Sequence, residues 1–295
     1  MQLISFLIDS PFRKLGTRLR KNIQITFFAA VHDIRCLRGV LFRTFTFALF
    51  MRILFSLLAT FVLQQAIAQS TGTLRITPLA NNFYIYITYG QYKGAPVPAN
   101  SMYVVTDSGV VIFDTPWDTT QFQPLLDSIE LRHHKPVVLS ISTHFHDDRT
   151  AGLAYFASKG ITTYTTRLTD SLSIKHGNKR ANHLLGGDTV FTVGQYSFET
   201  YYPGPAHAPD NIVVWFPEQK ILYGGCLIKG TDNPTLGNLA DANTQAYATS
   251  VKHVMQHCPH PKYVITGHDT WRSVRSLQHT YRLAKKLKKK TGTKK

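Results

Sequence analysis

The sequence predicts an α/β sandwich, two β-sheets with helices on their outer sides, formed by one domain over residues 69–295. Three observations carry that expectation. Short runs of β-branched and aromatic residues are punctuated by turn signals in both halves of the segment. Helix-like stretches alternate with them, the pattern of sheets whose surfaces are covered by helices. Clusters of His, Asp and Cys follow directly on apolar runs, at the strand ends where α/β sheets carry their sites.

The elements follow in order. Residues 83–88, 102–106 and 110–113 read as strands, with Asp107-Ser108-Gly109 as a turn between the last two. Residues 89–98 read as a hairpin-like loop with two glycines and an exposed aromatic, Tyr92; such a loop is either a connection or a flap over a site. After Asp114-Thr115-Pro116-Trp117 comes a helix-like segment, residues 119–133, with Phe122, Leu125, Leu126 and Ile129 on one face. A strand over 137–141, a polar cluster over 143–149, and a helix over 150–159 stopped by Gly160 complete the first half. In the second half, residues 189–193, 196–202, 211–216 and 221–223 read as strands, with a tight turn over 217–220. A helix over 241–256, a strand over 262–266 and a basic amphipathic helix over 273–290 close the chain. No Ser/Pro-rich linker or short repeat interrupts residues 69–295, which supports a single domain.

Charge is concentrated at the ends. A net charge of +16 would suggest nucleic acid or an anionic membrane. Nine Lys/Arg lie in residues 1–52 and eight in residues 282–295, against two acids and none. The body between is nearly neutral, whereas a nucleic-acid-binding core carries its own basic face, so no nucleic-acid partner is expected.

From Met51 the chain reads as a secretory signal: Arg52, an apolar core, then Ala66-Ile67-Ala68 as a cleavage site before Gln69. The apolar core is shorter than the roughly 20 residues that span a bilayer, so no stable membrane insertion is expected after cleavage. Residues 51–68 are therefore expected to direct export to the periplasm, and residues 1–50 to be an upstream extension outside the fold. Of the three cysteines, Cys36 lies in that extension. Cys226 and Cys258 either pair or are protected, and a metal protects a thiolate as well as a disulfide does.

The chemistry centres on Thr143-His144-Phe145-His146-Asp147-Asp148-Arg149, where His144, His146 and Asp148 stand on alternate residues. By itself the stretch reads as a solvated polar turn. Three further donors change that reading: His207 within Pro203–Asp210, Cys226 after Gly224-Gly225, and His268 after Gly267, each beside residues that turn the chain sharply. Imidazole, thiolate and carboxylate all suit zinc. His144, His146 and His207 form a neutral set that leaves a tetrahedral ion one open position, the mark of catalytic zinc. Asp148, Cys226 and His268 form an anionic second set, and a water between two such ions is deprotonated near neutral pH. His253 and His257 share a helical i, i+4 spacing, but residue 254 is Val and supplies no general base, so they read as a solvated helix face.

These blocks, together with Asp210-Asn211-x-Val213-Val214-Trp215, Gly224-Gly225-Cys226-Leu227-Ile228-Lys229 and Gly237-Asn238-Leu239-x-Asp241-Ala242-Asn243, resemble metallo-β-lactamases of subclass B1 over nearly all of residues 69–285. The resemblance implies a four-layer αββα fold and two zinc ions per chain. It implies attack of a zinc-bound hydroxide on the β-lactam carbonyl, with penicillins, cephalosporins and carbapenems as substrates. It further implies that Asp148 and Asn238 serve catalysis, Asn238 near the carbonyl oxygen, and that Lys229 binds the substrate carboxylate. Tyr92 would stand at the flap tip, and Asp114 and Arg149 would orient ligands and balance charge. A monomer is expected.

Two departures matter. Arg149 stands where other superfamily hydrolases carry His after the Asp, and Ala208 follows His207 where a hydroxyl is more usual. A superfamily hydrolase of another ester or amide, and a non-catalytic periplasmic zinc-binding protein, are the alternative readings.

Overall fold

Strand pairing arranges the chain into two sheets in a computed structural model that describes residues 51–53, 56, 72–186 and 188–292. The chain divides after Gln69, and the fold belongs to the unit Ser70–Lys295. The expected extension and most of the expected signal lie outside the described residues, among which no helix is long and apolar enough to cross a membrane.

The first sheet runs in chain order: β1 (Arg75–Ala80), β2 (Phe83–Tyr92), β3 (Ala95–Thr106), β4 (Gly109–Phe113), β5 (Val137–Ile141), β6 (Thr162–Thr166) and β7 (His183–Leu185). Short turns make β1 to β4 antiparallel. Helical crossovers make β4 to β7 parallel. Those crossovers hold α1 (Phe122–His133), the pair α2 (Asp147–Thr150) and α3 (Leu153–Ser158), and α4 (Arg167–His176). The second sheet has the order β12-β11-β10-β9-β8, with β8 (Thr189–Val193), β9 (Tyr196–Tyr201), β10 (Val213–Phe216), β11 (Ile221–Gly225) and β12 (Tyr263–Thr266). Helices α5 (Tyr247–His257) and α6 (Ser276–Gly292) belong to this half.

Alternation along the strands builds the layers. On β4, Val111 and Phe113 point to an inner core shared with Val214, Phe216 and Ile265 of the second sheet. Val110 and Ile112 point outward, against Phe122, Leu125 and Ile129 of α1 and Phe156 of α3. On β10 the same rule sends Val213 and Trp215 outward, against Val251 and Val254 of α5 and Leu277 and Ala284 of α6. The result is the αββα sandwich that the sequence led us to expect.

Several boundaries differ, each for a physical reason. Residues 89–98 are a ladder rather than a loop, because β2 and β3 pair out to Tyr92 and Ala95. Pro96 and Pro98 fall on alternate residues, so both missing N–H groups face one edge of the strand and leave the other free to pair. The helix expected over 150–159 is broken in two at Gly152, where a Cβ would lie 2.8 Å from that of Thr115. Helix α5 begins at Tyr247 rather than at 241, with the Asn243 side chain accepting from Ala246 N. β1, β6, α4 and β7 lie in segments for which the sequence suggested no element. Cys226 and Cys258 are both free thiols.

Candidate metal centre

The carboxyl ends of β5, β11 and β12 and the loop after β9 meet at one rim of the sandwich, and all six expected ligands stand there. The loop after β5 is held from beneath by Asp114, which is fully buried. Its carboxylate accepts from Thr143 N at 2.7 Å, Thr143 Oγ1 at 3.0 Å and Tyr223 Oη at 2.6 Å. Burial pushes the Asp114 carboxyl up to about 6, against Arg149 and these donors.

Three imidazoles form the first set. The rings of His144, His146 and His207 lie 4.8, 5.1 and 5.2 Å apart, centre to centre, at interplanar angles of 81°, 88° and 82°. His144 Nε2 is 3.1 Å from His146 Nδ1. The far nitrogen of His146, Nε2, lies 3.0 Å from the Asp241 carboxylate, which only accepts; the proton therefore belongs on Nε2 and the lone pair on Nδ1. Burial holds His144 and His207 well below the usual imidazole range, so both are neutral, as ligands must be.

The second set is built around Arg149. Asp148 Oδ2 lies 3.3 Å from Cys226 Sγ and 3.1 Å from His268 Nε2. His268 Nδ1 lies 2.7 Å from the Pro98 carbonyl, which fixes the proton there and turns Nε2 to the centre. Arg149 is completely buried and donates to the carbonyls of Asn100 and Gly267, each at 2.8 Å, and to Cys226 Sγ at 3.0 Å. Its Nε is 3.0 Å from Asp148. Burial alone would raise the Asp148 carboxyl, yet Arg149 and the hydrogen bond to His268 hold it well below its usual range. A Cβ at Gly267 would lie 2.8 Å from both Cys226 Sγ and Arg149 Nη2, so only glycine lets β12 approach so closely.

The donors fit a metal. Ligand atoms of His144, His146 and His207 lie within 4.8 Å of one another, as do those of His144, Asp148 and Cys226. Two facing imidazole nitrogens share at most one proton, so at least one lone pair points into the cluster, and His207 Nδ1 is buried without a hydrogen-bond partner. Neutral nitrogen on one side with thiolate and carboxylate on the other is the donor chemistry of zinc.

A cleft of about 530 Å³ opens over the cluster, lined by Tyr92, Trp117, Lys229, Asn238, Asp241 and His268 among others. Lys229 is buried, which lowers its ammonium below the usual lysine range, and its backbone N–H donates to Thr280 Oγ1 of α6 at 2.9 Å. Asn238 is exposed on the rim, where its Oδ1 accepts from Ala240 N at 3.1 Å. Tyr92 stands half exposed near the hairpin tip.

Asp241, Tyr223, Thr280 and the Pro98 carbonyl were not anticipated as parts of the site. Asp241 stood inside the segment 237–243 without a role of its own; the others gave no sequence signal. The spare histidines lie apart: His253 bonds the Pro203 carbonyl at 2.9 Å and His257 meets Glu199 at 3.1 Å.

Residues 94–268 match the family described as the metallo-beta-lactamase superfamily. A relative from Elizabethkingia meningoseptica, named metallo-beta-lactamase type 2, is 41% identical over 225 residues, covering 76% of this chain and 90% of its own length. A protein of that name from Bacillus cereus is 35% identical over 221 residues, covering 75% and 86%. Among solved structures, a metallo-beta-lactamase from Pontibacter korlensis superposes with a TM-score of 0.70 at 33% identity, over 72% of this chain and 99% of that one. Sandwich, donor constellation and relatives agree: the chain belongs to the metallo-beta-lactamase superfamily.

Proposed function

We propose that this protein is a zinc-dependent β-lactamase that holds two zinc ions and opens the ring of penicillins, cephalosporins and carbapenems. The observation that carries the reading is the meeting of a neutral three-histidine set and an anionic Asp148–Cys226–His268 set at the floor of a cleft walled by Lys229. His144, His146 and His207 would hold one ion, and Asp148, Cys226 and His268 the other. Bound there, zinc supplies Lewis acidity and an activated water for attack on the lactam carbonyl.

The chain's own residues do the rest. Lys229, desolvated and held by Thr280, presents an ammonium to the substrate carboxylate, an ion pair strengthened by its dry surroundings. Asn238 has its Oδ1 engaged by Ala240, so its Nδ2 is the end left to meet the lactam carbonyl oxygen as charge develops there. Asp148, kept ionised by Arg149, is the carboxylate at the reacting centre able to orient a water by accepting its hydrogen bond. Tyr92 and Trp117 offer apolar surface that shields the bound ring from solvent. Asp114 and Arg149 fix the loop that carries the ligands.

Residues 51–68 would direct the enzyme to the periplasm, where it works as a monomer on small-molecule substrates, and residues 1–50 would not belong to the mature protein. Sequencing the amino terminus of the exported protein checks this: a mature end well before Gln69 contradicts it. Hydrolysis rates for the three substrate classes, with zinc added, test the activity itself. Turnover of all three is expected; turnover of other esters or amides with none of β-lactams would overturn the reading.

A further inference from the structure

Apart from Thr280, which supports Lys229 from behind, the basic helix at the end of the chain takes no part in the site, yet it is built as a surface. Leu277, Thr280 and Ala284 of α6 are buried, and Tyr281, Leu283 and Leu287 pack against the same outer core. Arg282, Lys285, Lys286 and Lys289 follow the spacing i, i+3, i+4, i+7, which puts them on one face, and all four are exposed. Asp269 is the only acid after Asp241, so α5 and α6, which pack together through that core, contain none. Like charges at i, i+4 weaken a helix. Here the buried face holds the helix together against that repulsion.

We infer that the Arg282–Lys285–Lys286–Lys289 face of α6 adsorbs the protein to an anionic phospholipid surface. Charge complementarity argues for a polyanion, and two further features favour lipid headgroups. On the helix itself the Lys285 ammonium lies 5.5 Å from the centre of the Tyr281 ring, and such amphipathic pairs settle at a headgroup boundary. The stripe is a convex helix face on an otherwise near-neutral body, not a basic groove that tracks a nucleic-acid backbone. The contact is adsorption without insertion, in keeping with the lack, among the described residues, of any helix able to span a bilayer. It is independent of the hydrolysis proposed above.

The test is co-sedimentation of the exported protein, as recovered after processing, with vesicles of phosphatidylglycerol and phosphatidylcholine, against vesicles of phosphatidylcholine alone. Each basic residue near an anionic surface contributes about fivefold in affinity. Binding is expected only to the anionic vesicles, with release between about 0.1 M and about 1 M salt as the Debye length falls from about 10 Å to about 3 Å. The variant carrying Arg282→Gln, Lys285→Gln, Lys286→Gln and Lys289→Gln should bind at least about tenfold more weakly, with hydrolysis unchanged. The charge-conserving set Arg282→Lys, Lys285→Arg, Lys286→Arg and Lys289→Arg should bind as the parent does. Equal binding to neutral vesicles, undiminished binding by the glutamine variant, or preference for duplex DNA at matched phosphate would overturn the inference.

Discussion

Arg149 Nη2 lies 3.0 Å from Cys226 Sγ, a fully buried cation set directly against the thiol. The same guanidinium reaches Asp148 and stands 3.5 Å from Asp114, so one side chain balances the anionic half of the centre. Arginine suits the position because its charge survives burial and its five donors form a rigid fork.

Removing that cation leaves buried anions uncompensated. Arg149→Ala should lower stability by about 3–5 kcal/mol. Denaturant unfolding of the metal-free chain measures it, and a change under about 1 kcal/mol would show that Arg149 is not the keystone of the charge balance.

Cys226→Ser should weaken one zinc far more than the other, because the three-histidine set is untouched. Competitive titration with a chromophoric chelator reads both sites. Equal weakening at both would contradict the division of ligands.

Lys229→Ala removes a charge-assisted contact worth about 1.5–3 kcal/mol. KM for substrates bearing the ring carboxylate should rise roughly 10- to 100-fold while kcat changes less. An unchanged KM would take Lys229 out of the binding site. Thr280→Val probes the same lysine from behind: it leaves Lys229 N–H buried without an acceptor, at a cost of about 1–3 kcal/mol. KM should move in the same direction as in Lys229→Ala; a loss of stability with KM unchanged would limit Thr280 to a packing role.

Asp114 gives the metal-free protein a distinct pH signature. Burial raises its folded pKa from the ordinary 3.8 to about 6. Between those values the folded state binds the extra proton, so this group's contribution to stability falls as pH rises through the window and is level above it. The difference in unfolding free energy between parent and Asp114→Asn should therefore change between about pH 4 and about pH 6. A flat difference across that range would place the carboxyl pKa elsewhere.

Much of this architecture was legible because the signals were local. β5 and β8 match their expected spans of 137–141 and 189–193, where apolar and β-branched runs end at strong turn signals. The six expected donors were legible because three stand on alternate residues, His144, His146 and Asp148, and the others, His207, Cys226 and His268, stand near glycine or proline. What escaped was tertiary. β6, Thr162–Thr166, buries Thr163 and Thr165 inside a polar-looking run that alternation of hydrophobicity does not flag. The break at Gly152 depends on Thr115, far away in sequence. Asp241 orients His146 across 95 residues, and the Pro98 carbonyl orients His268 across 170, contacts that exist only once the sheets have packed.

The most direct measurement is zinc content and penicillin turnover on the same sample of the full chain, followed through chelation and stepwise return of zinc. Chelation should abolish turnover, added zinc should restore it, and two ions should bind per chain at saturation. Turnover that survives removal of the metal, or a fully loaded chain that leaves the β-lactam intact, would contradict it.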